Sequence, residues 1–252
     1  MITCNLVGPG QANCGLGNQL FQVASILSYA KDNDLLYSFP CLTDSKYGSY
    51  KNNIFRNINT NHSGESDYYY KEPTFEYSEI PIKESIHVHS SYLQSFKYFQ
   101  SNRDYIIKML EMSSVDRKYL IDKYNPKEYV SLHIRRGDYL NYEVFHTNLS
   151  KTSYYSEAIL KFPTEEFLIF SDDPSWAKEQ YPNCRVVEEE DYLEMYLMSL
   201  CKSNIIANST FSWWGAWLNK NINKKVIAPI KWFGPSYNYS TKDLLPPTWS
   251  IL

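Results

Sequence analysis

The sequence contains few cysteines and no long apolar run. Its five cysteines lie far apart, and no CxxC pair is present, which argues against a disulfide framework and against a zinc ribbon. No stretch approaches the roughly 18 apolar residues that a membrane-spanning helix needs, and the amino terminus lacks the basic and apolar regions of a signal peptide. We therefore expect a cytoplasmic protein with reduced thiols. A peripheral contact with the inner membrane face is the alternative that stays open.

An excess of positive charge is also missing. The 252 residues carry a formal net charge of −3, whereas nucleic-acid binders usually carry a basic face. We expect no nucleic-acid partner, and an anionic ligand must instead be met by a few positioned arginines. The histidines and cysteines show no metal-ligand spacing, so we also expect no metal. Tyrosine is abundant, with 23 residues. Tyrosine stacks well on sugars and bases, although genomic composition explains this count equally well.

The amino-terminal pattern predicts a strand, a glycine loop and a helix in that order. Residues 2–7 are typical of a strand, and a loop containing Gly15, Gly17, Asn18 and Gln19 leads into an apolar helical pattern. α/β proteins build ligand sites in this way. The loop is not a GxGxxG motif and lacks the lysine of a P-loop, so it does not favour dinucleotide or ATP binding. We interpret residues 44–80 as loops and short pieces.

The second half of the chain alternates between strand and helix patterns. A break at residues 125–128, which contains Pro126, predicts a domain boundary between residues 1–125 and 126–252. The alternation indicates a parallel sheet with helices on both faces. The predicted strands are 129–134, 166–170, 185–187, 204–207 and 225–229, and the predicted helices are 154–160, 175–181, 191–201 and 211–218.

Polar motifs follow three of these strands directly. They are residues 133–139 (HIRRGDY), 171–173 (SDD) and 208–212 (NSTFS). Ligands of open α/β sheets bind along the carboxyl edge of the strands. The three motifs together therefore predict one ligand site at that edge.

Two arginines come directly after the first of these strands. Arg135 lies two residues from His133, so the two side chains share a face of an extended backbone, and Arg136 points the opposite way. The planar guanidinium fork suits phosphate because it donates two parallel hydrogen bonds. The alternative is a structural pair with Asp138 or another carboxylate, and this alternative is favoured for Arg136.

The other two motifs offer further contacts. Asn208, Ser209 and Thr210 end a strand and open a helix, where main-chain N–H groups bind anions; an ordinary helix cap is the alternative. Phe211 is the aromatic residue best placed to touch a ligand. Asp172 can accept two hydrogen bonds from the N1 and N2 donors of a guanine, or it can form a turn without any ligand.

Several segments resemble glycosyltransferase family 11, which contains α-1,2-fucosyltransferases. They are residues 15–22 (GLGNQLFQ), 91–99 (SYLQSFKYF), 133–139, 171–173, 205–218 (IIANSTFSWWGAWL) and 245–249 (LPPTW). The resemblance implies a GT-B fold, with two Rossmann-like domains and the active site in the cleft between them. Residues 1–125 would be the acceptor-side domain and residues 126–252 the GDP-fucose-binding domain, with the last residues packing back on the first domain. The implied reaction is an inverting, metal-independent transfer from GDP-β-L-fucose to the 2-hydroxyl of a terminal galactose in an oligosaccharide or glycolipid.

The resemblance also implies roles for the residues above. Arg135 would hold the pyrophosphate with help from Arg136, and residues 208–211 would share the phosphates. Asp172 would lie near the guanine or ribose, His133 beside the phosphates, and residues 15–19 would close the cleft. Candidates for the catalytic base are Asp138, His133 and an acidic residue of the first domain; we favour Asp138 as a partner that orients the arginines.

Two alternatives and two departures accompany this interpretation. A transferase of another linkage or acceptor is one alternative, and an inactive sugar-nucleotide or glycan-binding protein is the other. Cys14 stands where relatives commonly have a glycine, and residues 8–13 lengthen the approach to the glycine loop. These departures bear on the acceptor side rather than on donor binding.

Overall fold

The computed structural model describes residues 1–6, 14–40, 42, 50–58 and 66–252. Internal contacts divide the chain into two compact units. Unit 1 comprises Met1–Met112 and Ser240–Pro246, and unit 2 comprises Ser113–Tyr239 and Pro247–Leu252. The division therefore falls before helix α3 (Ser114–Tyr124), whereas the sequence pattern placed it after this helix, at the Pro126 break.

Unit 1 contains a parallel sheet with the strand order β2-β1-β4-β3. Helix α1 covers 17 residues and is buried along most of its length, including the polar side chains of Gln19, Gln22, Ser25 and Ser28. Gly15 is its N-cap, and residues 16–19 form its first turn. The prediction of a loop at residues 15–19 is therefore wrong, because residues 16–19 are helical. The elements of unit 1 are β1 (Ile2–Cys4), α1 (Leu16–Asp32), β2 (Tyr37–Ser38), β3 (Tyr69–Tyr70), β4 (Ile86–Val88) and α2 (Arg103–Met109).

Unit 2 contains a parallel sheet with the strand order β10-β9-β8-β5-β6-β7. The alternation of strands and helices predicted for this half is the one observed. The predicted last strand at 225–229 is not the last one, because a further strand, β10, pairs with it in parallel. The elements of unit 2 after α3 are β5 (Tyr129–Ile134), α4 (Tyr154–Ile159), β6 (Glu166–Ser171), α5 (Pro174–Gln180), β7 (Arg185–Val186), α6 (Asp191–Leu200), β8 (Ser203–Ile205), α7 (Thr210–Leu218), β9 (Val226–Ala228) and β10 (Ser250–Ile251).

The core of unit 2 is built around β5 and β6, which pair over six residues. Their side chains are buried on both faces of the sheet, as in most parallel sheets. Beside them, Trp213 of α7 packs against Trp217 and Trp249, with ring centroids 6.1 and 5.4 Å apart. The tryptophans at helical spacing therefore belong to the core and not to a ligand site.

This topology brings the three polar motifs to one edge. Strand β5 lies between β8 and β6, and parallel strands all end at the same side of their sheet. The segments that follow the three strands are therefore neighbours. Within the described ranges, no helix has the length and apolar character needed to cross a membrane.

Candidate functional site

His133 lies near the carboxyl end of β5 and is buried, with 4% of its surface exposed. Its ring centroid lies 5.6 Å from that of Phe211. Burial, and secondarily the charge of Arg135, lowers the pKa of His133 to about 3. Nδ1 has no hydrogen-bond partner among the described residues. The imidazole is therefore neutral near pH 7, and because its conjugate acid is so strong it holds an abstracted proton poorly.

Arg135 is fixed by two carboxylates. Its Nη2 lies 2.7 Å from Asp138 Oδ1, and its Nη1 lies 3.1 Å from Asp172 Oδ2. The guanidinium carbon lies 5.3 Å from the centroid of the Tyr139 ring, at a distance typical of a cation–π contact. About a third of the side chain, 32%, remains exposed. The group is thus oriented and accessible, as a residue that binds an anion should be.

Arg136 makes contacts with the protein itself. Its Nε lies 3.0 Å from Asp173 Oδ2, and its guanidinium carbon lies 4.6 Å from the centroid of the Trp176 ring. Asp173 in turn caps α5 by accepting a hydrogen bond from the Trp176 N–H. This arrangement agrees with the structural alternative for Arg136, and its predicted contact with the donor stays a prediction.

Gly137 permits a close approach between the β5 and β6 strand ends. A Cβ atom placed on Gly137 would lie 2.5 Å from Asp172 Oδ2. The other carboxylate oxygen, Asp172 Oδ1, accepts a hydrogen bond from the main-chain N–H of Arg136 at 2.8 Å. Both oxygens of Asp172 thus hold the turn after β5, and its contact with a guanine stays a prediction. The sequence interpretation did not single out Gly137, although a glycine between Arg136 and Asp138 was a readable signal.

The third strand end joins the helix amino terminus to the neighbouring segments. Ser209 is the N-cap of α7, and its hydroxyl accepts a hydrogen bond from the Phe211 N–H. Asn208 is buried, and its Nδ2 donates to the carbonyl oxygens of Thr147 at 2.9 Å and Trp232 at 2.8 Å. Asn208 therefore positions two loops. Thr210, the first residue of α7, and Phe211 are half-buried at the helix start, where N–H groups favour an anion.

The predicted residues of unit 1 lie together in the first turn of α1. Asn18 Oδ1 accepts a hydrogen bond from Nε2 of Gln94 at 2.9 Å, and Gln19 Nε2 donates to the carbonyl oxygen of Cys14 at 2.7 Å. Gln94 belongs to the 91–99 motif, so two family-like segments meet here. Gly17 is buried within the helix, and nothing lies within 4 Å of a Cβ placed on Gly15. Residues 8–13 lie outside the described residues.

Two partly buried glutamates, Glu72 and Glu194, belong to none of the sequence motifs. Glu72 follows β3; its carboxylate accepts hydrogen bonds from the Leu93 N–H and the Tyr98 hydroxyl, both at 3.1 Å. Glu194 lies in α6, which follows β7, and accepts from the Glu189 N–H at 3.2 Å. Burial raises the pKa of Glu72 to about 7 and that of Glu194 to about 8. In the parts of the chain that the structure describes, no cluster of three or more histidine, cysteine, aspartate or glutamate side chains is arranged to hold a metal ion.

The fold and the site together define a class: an α/β protein of two parallel-sheet units, with arginines and a helix amino terminus at one sheet edge. The sequence profile described as glycosyl transferase family 11 matches residues 11–250. The chain therefore belongs to glycosyl transferase family 11, and the predicted resemblance is confirmed.

Named relatives of the chain are glycosyltransferases. It is 38% identical over 167 residues to the O-antigen biosynthesis glycosyltransferase WbnK of Escherichia coli, covering 57% of this chain and 54% of that one. It is 35% identical over 173 residues to an alpha-1,2-colitosyltransferase of Escherichia coli, covering 62% and 59%. It is 28% identical over 284 residues to a galactoside 2-alpha-L-fucosyltransferase of Caenorhabditis elegans, covering 94% and 77%. The matched region thus spans little more than half the length of the two bacterial relatives.

Solved structures share the fold at low identity. The fucosyltransferase NodZ from Bradyrhizobium gives a TM-score of 0.54 at 12% identity, covering 85% of this chain and 91% of that one. NodZ alpha-1,6-fucosyltransferase soaked with GDP-fucose gives 0.52 at 12% identity, covering 86% and 92%. These neighbours and the two parallel-sheet units confirm the predicted GT-B class. The predicted location of the active site in a cleft stays a prediction.

Proposed function

We propose that this glycosyltransferase transfers L-fucose from GDP-β-L-fucose to the 2-hydroxyl of a terminal galactose, with inversion and without a metal. The observation that carries the proposal is Arg135, held between Asp138 and Asp172 at the end of β5. Support for fucose and for the 1,2 linkage comes from the name of the Caenorhabditis elegans relative. Support for a GDP-linked donor comes from the GDP-fucose soaked into the NodZ crystals.

In this mechanism Arg135 binds the pyrophosphate. Its two ion-pair partners are partly exposed, with 53% of the Asp138 side chain and 22% of the Asp172 side chain in contact with solvent. An incoming pyrophosphate therefore displaces water and competes with Asp138 for the guanidinium. As the bond from the sugar to the phosphate breaks, negative charge grows on the leaving GDP. A guanidinium already oriented towards that charge stabilises it without reorganisation.

The amino terminus of α7 shares the phosphates in this mechanism. Ser209, Thr210 and the Phe211 N–H group lie at the helix start, where the helix dipole favours an anion. Asn208 and Arg136 act as positioning residues, because their side-chain N–H groups already donate hydrogen bonds to oxygens of the protein. Asp172 positions Arg135 and the turn through Gly137.

The acceptor proton needs no strong base in this scheme. His133 is a weak base, and Asp138 is paired with Arg135. On a dissociative path with oxocarbenium character the bond to GDP breaks early, the acceptor hydroxyl attacks the cation and acidifies as the new bond forms, and its proton passes to solvent or to a phosphate oxygen of the departing GDP. Unit 1 binds the acceptor in this scheme, through the first turn of α1 and the 91–99 segment. The protein acts in the cytoplasm, where a peripheral contact with the inner membrane face would give it access to lipid-linked glycans.

A second donor is favoured by one observation. The relative at 35% identity is named for colitose, which is fucose without its 3-hydroxyl group. GDP-colitose would use the same contacts to the nucleotide and would differ only at the sugar. We carry it as the alternative donor.

The test is an assay of the purified protein with GDP-fucose or GDP-colitose and a panel of galactosides, with linkage analysis of the product by NMR. We expect an α-1,2-fucosylated galactoside at a rate that does not change after exhaustive chelation. If the protein transfers colitose but not fucose, the donor is GDP-colitose. If the product has another linkage, the acceptor position is not the 2-hydroxyl. A requirement for Mn²⁺ or the absence of any transfer would contradict the mechanism.

A further inference from the structure

Two segments of unit 2 that follow different strands pair with each other beside the candidate site. Residues 140–148 follow β5, and residues 229–239 follow β9. His146 and Phe233 form an antiparallel bridge. The Gly234 N–H donates to the Phe145 carbonyl oxygen, and the Thr147 hydroxyl donates to the Phe233 carbonyl oxygen, both at 2.8 Å. The two segments therefore form one small surface element.

This element carries a group of four aromatic rings, Phe145, Phe233, Tyr237 and Tyr239, which we call the aromatic platform. The Tyr237 and Tyr239 rings are stacked, with centroids 5.1 Å apart and planes 22° apart. Phe145 lies 5.2 Å from Tyr237, and Phe233 lies 5.4 Å from Tyr239. Phe145 is 38% exposed, Tyr237 38% and Tyr239 49%. A contiguous group of exposed rings is unusual on a protein surface and marks an interaction site.

The aromatic platform is held in place by the protein. A Cβ atom on Gly234 would lie 2.7 Å from the Val144 carbonyl oxygen, so only glycine lets the two segments approach so closely. Asn208 binds both segments through the carbonyl oxygens of Thr147 and Trp232. The rings are therefore presented by a preorganised element and not by independent loops, which lowers the entropic cost of binding a ligand.

The aromatic platform is continuous with the candidate donor site. The Arg135 guanidinium lies over Tyr139, whose ring stacks on His146 at 4.2 Å with planes 7° apart. His146 then pairs with Phe233. The Tyr139 hydroxyl also donates to the carbonyl oxygen of Asn208, at 3.0 Å. A continuous series of ring and main-chain contacts therefore links the aromatic platform to Arg135.

The chemistry of these rings suits a sugar. The C–H face of a pyranose packs on an aromatic ring, while its hydroxyl groups at the edge stay hydrated or meet polar groups such as a phenol. A membrane surface would instead select a basic rim. Of the lysines in or beside this element, Lys151 is neutralised by Glu143 at 2.6 Å, and the exposed Lys231 alone is too little charge for such a rim. We propose that the aromatic platform binds acceptor sugars beyond the terminal galactose, so that the enzyme prefers an extended oligosaccharide. This inference rests on the proposed function.

The test compares the wild type with the double variant Tyr237→Ala/Tyr239→Ala. Lacto-N-tetraose, a tetrasaccharide that ends in galactose, and methyl β-galactoside serve as acceptors. We expect the KM for the tetrasaccharide to rise roughly tenfold, from the loss of two stacking rings. The KM for methyl β-galactoside and for GDP-fucose should change less than about twofold, because neither reaches the aromatic platform. Tyr237→Phe/Tyr239→Phe should keep most of the wild-type behaviour, and Tyr142→Ala removes another exposed tyrosine, one outside the platform, as the matched control.

Three results would overturn the inference. One is an equal loss with both acceptors or with GDP-fucose, and another is no change with either acceptor. The third is lost binding to vesicles containing anionic lipid while both acceptor KM values stay unchanged, which would assign the surface to a membrane. Saturation-transfer NMR of lacto-N-tetraose without donor gives an independent readout. If lacto-N-tetraose binds and this binding depends on Tyr237 and Tyr239, the inference about the aromatic platform is supported even when no fucose is transferred. The absence of fucose transfer by itself contradicts only the proposed function.

Discussion

Gly137 and Asp172 approach each other so closely that a Cβ atom on Gly137 would lie 2.5 Å from Asp172 Oδ2. The same oxygen binds Arg135 at 3.1 Å. The ends of β5 and β6 are thus fitted to each other around one carboxylate. The orientation of Arg135 depends on the absence of a side chain two positions further along the chain.

Gly137→Ala should therefore impair catalysis more than stability. The new methyl group must push Asp172 away and shift the Arg135 guanidinium, and a displacement of about 1 Å can cost roughly 10²-fold in turnover. Overpacking should lower the unfolding free energy by about 1–3 kcal/mol. Combining Gly137→Ala with Asp172→Ala removes the clash, so the two stability losses should be less than additive in denaturant unfolding. Fully additive losses would show that the clash is relieved elsewhere.

Arg135→Ala should lower transfer by roughly 10²–10³, which corresponds to a loss of about 3–4 kcal/mol of transition-state stabilisation. The reason is that the charge on the leaving GDP then lacks its oriented cation. Steady-state kinetics should show the loss mainly in kcat. Arg117→Ala, at an exposed position of α3 in the same unit, is the matched control for the removal of one positive charge. Near wild-type turnover in Arg135→Ala would refute the role of Arg135.

Arg136→Ala should behave differently from Arg135→Ala. Its ion pair with Asp173 and its contact with Trp176 predict a fall in unfolding free energy of about 1–2 kcal/mol. Turnover should fall less than about tenfold, because the group positions the turn and does not touch the donor. A double-mutant cycle with Asp173→Asn, which keeps an acceptor for capping α5, isolates the pair. A large rise in the KM for GDP-fucose would instead favour the predicted donor contact.

Glu194 should make stability depend on pH. Its folded-state pKa of about 8 lies above the ordinary value of about 4.3, so the folded state binds the proton more tightly than the unfolded state. Its contribution to stability is full at pH values below about 4.3 and is lost as the pH rises towards about 8. Burial is the main cause, and the neighbouring Asp191, Glu189 and Glu188 add to it.

Glu194→Gln should remove this contribution. We would measure the unfolding free energies of the variant and the wild type by denaturant unfolding at pH 5, 7 and 9. The difference between them should shift in favour of the variant as the pH rises. The matched control is Glu157→Gln, which removes one carboxyl group from the exposed face of α4. Glu72 titrates in an overlapping range with a pKa of about 7, so some pH dependence remains in the variant. Parallel curves for Glu194→Gln and the wild type would contradict the assignment.

The strands of unit 2 up to β9 could be predicted from the sequence, including the two-residue β7, which falls within the regular alternation of strands and helices, whereas three other short strands could not. Strands β5 and β6 are buried on both faces and leave an uninterrupted apolar run. Strands β2, β3 and β10 have two residues each. So short a strand cannot show an alternating pattern and is held by its neighbours in the sheet. For this reason only the first strand of unit 1 and the helix that follows it were predicted from the residues, and the other strands of its sheet were not.

The candidate site could be predicted where a motif follows a strong strand. The ends of β5, β6 and β8 come together as predicted, because β5 lies between its two neighbours β6 and β8 in the sheet. The partners within the site were less predictable. A sequence shows that Arg135 and Asp172 are present, but their distance depends on packing across the sheet. The aromatic platform was also hidden, since Phe145 and Tyr237 are 92 positions apart in sequence and meet only when two loops pair.

The way the chain contributes to its two units limits how the protein can be taken apart. The polypeptide leaves unit 1 after Met112, returns to it at Ser240 and leaves it again after Pro246. A fragment that ends at Tyr239 would lack β10, so the main-chain groups of Ala228 that pair with this strand would be exposed at a sheet edge. A self-contained fragment of unit 2 therefore requires a spliced gene, in which a short linker replaces residues 240–246. Limited proteolysis after Met112 would leave residues 240–246 of unit 1 attached to unit 2, and a cut at either later junction would leave residues 1–112 attached to residues 113–239.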